Sequence, residues 1–76
     1  MAGKPIPNPC FLDGCESLGA INGVKRWRNI HDDRLFTWDA LHGEIEVFNK
    51  RGKHIGVMNA QGDFIKEAVK GRKIDV

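Results

Sequence analysis

The sequence predicts a mainly β protein: a small, highly twisted antiparallel sheet, a meander, with little or no helix. Three observations lead to this fold class. From Arg34 onward, short runs rich in β-branched and aromatic residues alternate with short gaps. Each gap ends in glycine, as tight hairpins require. No segment carries the apolar period of a long helix, and one turn near Ile30–Asp33 is the most helix that we expect.

Four runs are predicted as strands and a fifth as a last edge strand: Arg34–Ala40, Glu44–Asn49, His54–Asn59, Asp63–Val69 and Lys73–Val76. The first three gaps between them are Leu41–Gly43, Lys50–Gly52 and Ala60–Gly62. Because short consecutive connections join neighbouring antiparallel strands, the order in the sheet should follow the order in the chain. The ordinary strand twist should then close the sheet partly on itself.

The chain has 76 residues, which is the size of one small domain. Residues 1–23 are predicted as a linker or lead-in and residues 24–76 as the folded domain. The prolines at positions 5, 7 and 9 and the glycines at 14, 19 and 23 leave little room for regular structure in the first segment. No apolar run follows the first charged residue, so we expect no signal peptide, and any export must come from a longer parent protein.

The net charge of +2 is weak, but the basic residues are clustered. The indole of Trp27 is flanked in the sequence by three cations, Lys25, Arg26 and Arg28. The C-terminal half adds Lys70 and Lys73. Such clusters can hold phosphates, and Trp27 could stack on a base. These six residues are the predicted RNA contacts. The alternative is a charged surface that only keeps a small domain in solution.

The metal-ligating residue types form no standard site. Cys10 and Cys15 have no second pair, and His31, His42 and His54 complete no zinc spacing. We therefore predict no metal and no cofactor. The cysteines form either a local disulfide or two free thiols, depending on the compartment.

The first predicted hairpin separates polar from apolar side chains. Pairing about Leu41-His42 places Asp39 opposite Glu44 and Thr37 opposite Glu46, with Trp38 and Phe36 opposite apolar partners. Side chains alternate between the two faces of a strand. One face is therefore apolar, and the other carries three carboxylates with His42 at the hairpin end.

Carboxylates crowded on one patch repel each other, so we expect at least one to have a raised pKa. A raised carboxylate can act as a general base and a nearby imidazolium as a general acid. This pairing suits RNA cleavage by the ribose 2′-hydroxyl, with Arg72 or a neighbouring lysine stabilising the charge on phosphorus. The alternative is a hairpin whose outer face is merely solvated.

Three motifs together resemble a known toxin family. Lys25-Arg-Trp27, Arg34-Leu-Phe-Thr-Trp-Asp39 and His42-Gly-Glu-Ile-Glu46 are similar to the ribosome-inactivating ribonuclease domain of the E-group colicins and cloacin, with related modules in contact-dependent growth inhibition toxins. The resemblance runs from about Lys25 to Ile74. It implies a twisted antiparallel sheet and a bacterial toxin that is delivered as part of a larger secreted or surface protein and acts in the target cytoplasm.

The resemblance also implies site residues and partners. It places the catalytic aspartate at Asp39, the histidine at His42, the general base at Glu46, the phosphate-binding arginine at Arg72 and a supporting acid at Glu44. The implied target is the decoding site of 16S ribosomal RNA in the small subunit, and the implied inhibitor is an acidic immunity protein. Two alternatives stay open: a tRNA-cleaving toxin on the same scaffold, and a non-catalytic RNA- or protein-binding β-barrel.

Overall fold

The computed structural model describes residues 3–7, 9–21 and 23–74. Its six strands form one antiparallel sheet in chain order, and a short 3-10 helix at Phe11–Gly14 precedes the first strand. The strands are β1 Glu16–Ile21, β2 Val24–Arg28, β3 Leu35–Asp39, β4 Glu44–Phe48, β5 His54–Met58 and β6 Phe64–Glu67. The predicted fold class is confirmed.

The sheet is strongly coiled. The described chain measures 29 × 26 × 24 Å, nearly equal in three directions, as a twisted and coiled single sheet does and a flat one does not. Ladder irregularities at Ser17/Gly19, Val47/Phe48 and Val57/Met58 add local twist, as extra residues in one strand generally do. The coil brings β6 and the segment after it toward the polar face of β3 and β4.

Two of the hairpin turns are built alike, by Asn49 and Asn59. The side-chain oxygen of each asparagine accepts the backbone N–H groups two and four residues later, at 2.9 to 3.0 Å. Gly52 and Gly62 follow with φ of 84° and 91°, a conformation that favours glycine. Both asparagines therefore belong to turns, and the predicted strands that ended with them are one residue shorter.

The apolar core lies on one side of the sheet. Its buried side chains are Leu12, Phe36, Ile45, Val47 and Met58. The predicted register of the first hairpin is confirmed, with Asp39 opposite Glu44 and Thr37 opposite Glu46. Because strand residues alternate, this register sends the apolar set of β3 and β4 into the core. The polar set is then left on the opposite face.

The expectation of little regular structure in residues 1–23 was wrong for the part that follows Cys10. Residues 16–21 form β1, which pairs along its length with β2, and Phe11 packs edge-to-face on Phe36 at 5.3 Å between ring centroids. The N–H of the Trp38 ring donates to the Lys4 carbonyl at 2.9 Å. Pairing and packing thus order a glycine- and proline-rich segment whose local propensity is low.

Other expectations need smaller corrections. Lys73 forms a single β-bridge with Lys53, not a strand, and residues 75 and 76 of the predicted edge lie outside the described residues. Residues 30–32 form a turn, as expected, while the 3-10 helix near the N-terminus was not foreseen. Among the described residues, no helix is long and apolar enough to cross a membrane.

Candidate active site

A polar cleft of about 220 Å³ lies beside the first hairpin. Strand β3 contributes Asp39 to it, β4 contributes two glutamates, β6 one lysine, and the segment after β6 one arginine. The polar groups that line it include Asp39, His42, Glu44, Glu46, Lys66 and Arg72. Acidic groups from neighbouring strands therefore meet cations from a distant part of the chain.

Asp39 and His42 form a tightly bonded pair at the hairpin turn. His42 Nδ1 lies 2.7 Å from Asp39 Oδ2, while Oδ1 accepts the backbone N–H groups of Leu41 and His42. Partial burial raises the pKa of Asp39, but the hydrogen bonds from His42 and Leu41 outweigh it and hold the pKa below its ordinary value. The ionised carboxylate favours a proton on Nδ1, and the ring as a whole is half-exposed.

Glu46 is mostly buried and has two cationic or polar partners. Arg72 Nη1 lies 2.6 Å from its Oε1, and His54 Nε2 lies 2.9 Å from the same oxygen. The His54 contact is close, but its N–H direction misses the carboxylate and makes no directed hydrogen bond. The Arg72 guanidinium therefore places a positive charge directly on the Glu46 carboxylate.

The third carboxylate, Glu44, is paired with Lys66 from strand β6. Lys66 Nζ donates to Glu44 Oε1 at 2.9 Å. This hydrogen bond raises the pKa of the Lys66 ammonium and keeps it charged. A second cation is therefore fixed on the cleft, on the strand next to β5.

Crowding of the carboxylates does not have the predicted effect on Asp39. We expected repulsion to raise at least one pKa, whereas the pKa of Asp39 is lowered. Each carboxylate of the patch has a partner from another part of the site, respectively His42, Lys66 and Arg72. For Asp39, the effect of burial is outweighed by the hydrogen bonds from His42 and from the backbone of His42 and Leu41, which lower the pKa.

Three of these side chains have the spacing of a metal site. Asp39, His42 and Glu44 each offer one ligand atom, and these atoms lie within 4.8 Å of one another. However, Asp39 and His42 bond each other, and Glu44 holds the Lys66 ammonium. A divalent cation held by these three side chains would have to replace these contacts.

Comparison with known proteins gives the class of the domain. A family model described as Cytotoxic matches residues 16–75, from the first residue of β1 to beyond Arg72. The chain belongs to the Cytotoxic family. It is therefore a cytotoxic toxin domain. No curated protein matches the chain significantly.

The Cytotoxic domain brings the five predicted catalytic residues to one cleft: Asp39, His42, Glu44, Glu46 and Arg72. The predicted RNA contacts are more scattered. On β2, Arg26 is buried and Trp27 packs against the core, while Arg28 pairs with Glu16 and Asp33. Lys25, Lys70 and Lys73 are exposed. Their role as RNA contacts stays a prediction.

Sequence reasoning did not identify Lys66, which lines the Cytotoxic domain's cleft, or His54, which is buried behind it against Glu46. The predicted meander places β5 next to β4. That neighbourhood is the sequence signal that could have brought His54 close to Glu46. The ladder irregularity between Val47 and Phe48, however, shifts the pairing so that His54 lies opposite Phe48. Lys66 was not among the predicted site residues, because no local pattern relates it to Glu44, 22 residues away.

Proposed function

We propose that this Cytotoxic domain is an endoribonuclease that cleaves 16S ribosomal RNA at the decoding site, without a metal ion, and so blocks translation. The observation that carries the proposal is the cleft itself. It combines a carboxylate paired with arginine and an imidazole paired with aspartate, which are the groups needed for general base and general acid catalysis. The identity of the substrate is proposed from the resemblance of the sequence motifs to those of the colicin ribonucleases.

The proposed reaction uses the RNA's own 2′-hydroxyl as nucleophile. Glu46 takes the hydroxyl proton, the 2′-oxygen attacks phosphorus, and the bond from phosphorus to the 5′-oxygen breaks. His42 donates a proton from Nε2 to that leaving oxygen. The products are a 2′,3′-cyclic phosphate and a 5′-hydroxyl. Both Glu46 contacts use Oε1, so Oε2 is the oxygen that can accept the proton.

Two cations are placed to stabilise the phosphate. Arg72 donates a hydrogen bond from Nη1 to Glu46. Its half-exposed guanidinium has further N–H donors for a phosphate oxygen. Lys66 lies on the same cleft. Charge that develops on phosphorus in the transition state is stabilised by such prearranged donors.

The proposed setting is the one that the resemblance to the colicins implies. The domain is delivered to another bacterium as part of a larger secreted or surface protein and acts in the cytoplasm of that cell. An acidic immunity protein protects the producing cell by binding the basic C-terminal half of the domain.

The test is to incubate the domain with intact ribosomes and with tRNA in excess EDTA and to map new RNA ends. We expect one short fragment from the 3′ end of 16S RNA, a 2′,3′-cyclic phosphate or 3′-phosphate end, and intact tRNA. Cut tRNA beside intact ribosomes would keep the chemistry and overturn the target. Loss of activity in EDTA, or 5′-phosphate ends, would overturn the mechanism, and binding without cleavage would indicate the non-catalytic alternative.

A further inference from the structure

The least exposed polar side chain of the cleft region is that of His54. The imidazole has no solvent exposure, and it packs edge-on against the Phe48 ring with 5.2 Å between centroids. Burying a polar ring without partners is costly, so its contacts indicate why it is there. It cannot touch RNA directly, because Glu46 and the segment after β6 lie between it and the solvent.

The contacts of the His54 ring determine its tautomer. Nδ1 accepts the backbone N–H of Val69 at 2.9 Å, so it carries a lone pair and no proton. The neutral ring therefore has its proton on Nε2. That nitrogen lies 2.9 Å from Glu46 Oε1, although the N–H is not yet aligned with it. At this distance the ring restricts where the Glu46 carboxylate can lie.

The backbone of His54 holds the segment that carries Arg72. Its N–H donates to the Arg72 carbonyl at 3.0 Å, while its ring receives the N–H of Val69. Both ends of the irregular stretch from 69 to 72 are thus bonded to one residue of β5. The Arg72 side chain then reaches back to the same Glu46 oxygen that faces Nε2.

We propose that His54 is a positioning residue for the cleavage site: its buried ring joins Glu46 to the segment that delivers Arg72. This inference rests on the proposed ribonuclease activity. The ring orients Glu46 through Nε2 and fixes the Arg72 segment through Nδ1 and the backbone. Its loss should misplace the general base while leaving the RNA-binding surface intact.

The two functions of the ring can be separated by substitution. His54→Asn keeps an oxygen near the Nδ1 position, which can accept the Val69 N–H, but has no group that reaches Glu46. His54→Gln keeps an amide near the Nε2 position. The matched control is His31→Asn, because His31 is exposed in the turn between β2 and β3. Circular dichroism and thermal unfolding report whether each variant folds.

We expect His54→Asn to fold and to lower kcat for RNA cleavage on the order of ten- to a hundredfold, because a general base displaced by a fraction of an ångström loses its alignment. KM should change by less than about threefold, since the residue contacts no RNA. His54→Gln should recover most of the lost kcat, and His31→Asn should match the wild type. A folded His54→Asn with wild-type kcat, or a Gln variant no better than Asn, would overturn the proposal.

A spectroscopic measurement separates this inference from the proposed function. Long-range ¹H–¹⁵N spectra of the wild-type domain should show His54 protonated at Nε2 and unprotonated at Nδ1, with an Nε2 signal that shifts in Glu46→Gln but not in Asp63→Asn, which changes an exposed carboxylate outside the cleft. If the domain cleaves no RNA, the proposed function fails while these spectra still test the contact. The opposite tautomer, or an Nε2 signal indifferent to Glu46, would overturn the positioning role even in an active enzyme.

Discussion

Glu46 and Arg72 are 26 residues apart in the chain, yet Arg72 Nη1 lies 2.6 Å from Glu46 Oε1. One comes from the middle of β4 and the other from the irregular segment after β6. The contact joins the proposed general base to the proposed phosphate ligand. It also means that the guanidinium is held in place before RNA arrives, which lowers the cost of ordering it in the complex.

Arg72→Ala should slow RNA cleavage by about a hundredfold, because it removes a prearranged donor for the transition-state phosphate. Arg72→Lys should recover only part of the rate, since lysine keeps the charge but lacks the planar guanidinium fork. Single-turnover cleavage of ribosomes measures both. Arg51→Ala, an exposed cation of the turn between β4 and β5, is the control. Equal rates for Arg72→Lys and the wild type would contradict a role for the fork.

His42→Ala should abolish most cleavage, by about a hundred- to ten-thousandfold, because the leaving oxygen loses its proton donor. The side chain is 56% exposed and supports no core packing, so the melting temperature should change little. Cleavage assays and thermal unfolding on the same preparation test this, with His31→Ala as a matched exposed histidine. A folded variant that cuts RNA at the wild-type rate would show that His42 is not the general acid, and an unfolded variant would contradict the purely surface position assigned to it.

Acid should destabilise the fold partly through Asp39. The folded-state pKa of Asp39 is lowered from its ordinary value of 3.8, so its contribution to stability is complete above that value and is lost as the pH falls through the lower folded-state pKa. The free energy of unfolding from urea titrations should therefore fall more steeply below pH 4 in the wild type than in Asp39→Asn. Asp63→Asn reports the general effect of removing an exposed carboxylate. If the free energy of unfolding fell with pH equally steeply in the wild type and in Asp39→Asn, a lowered pKa of Asp39 in the folded state would be contradicted.

Association with an acidic immunity protein should depend on salt. Opposite charges on two partners speed their encounter, and salt screens that attraction. Stopped-flow measurements from 25 to 500 mM NaCl, concentrations chosen to span roughly a fourfold range of Debye length, should give a falling on-rate with a much less affected off-rate. Lys50→Ala, Arg51→Ala and Lys53→Ala together should flatten the dependence. A basic immunity protein, or an on-rate indifferent to salt, would count against this interaction.

The first hairpin was predictable because its information is local. A glycine-ended turn, strict alternation in β3 and β4, and an apolar set that must face one way leave a single register. That register brings Asp39, Glu44 and Glu46 to one face, as the structure shows. The lead-in was not predictable in the same way. Most of β1 is exposed and lacks alternation, so only its pairing with β2 makes it a strand.

The sequence by itself thus determined a twisted meander and a row of carboxylates beside a histidine, since neighbouring strands and their faces depend on residues close in the chain. Only the tertiary structure decided which cation meets which carboxylate. Lys66 reaches Glu44 across 22 residues, and His54 and Arg72 converge on Glu46. These contacts depend on the coil of the whole sheet and on a ladder irregularity between Val47 and Phe48. A shift of one residue in that ladder would send His54 to the opposite face, because side chains alternate along a strand.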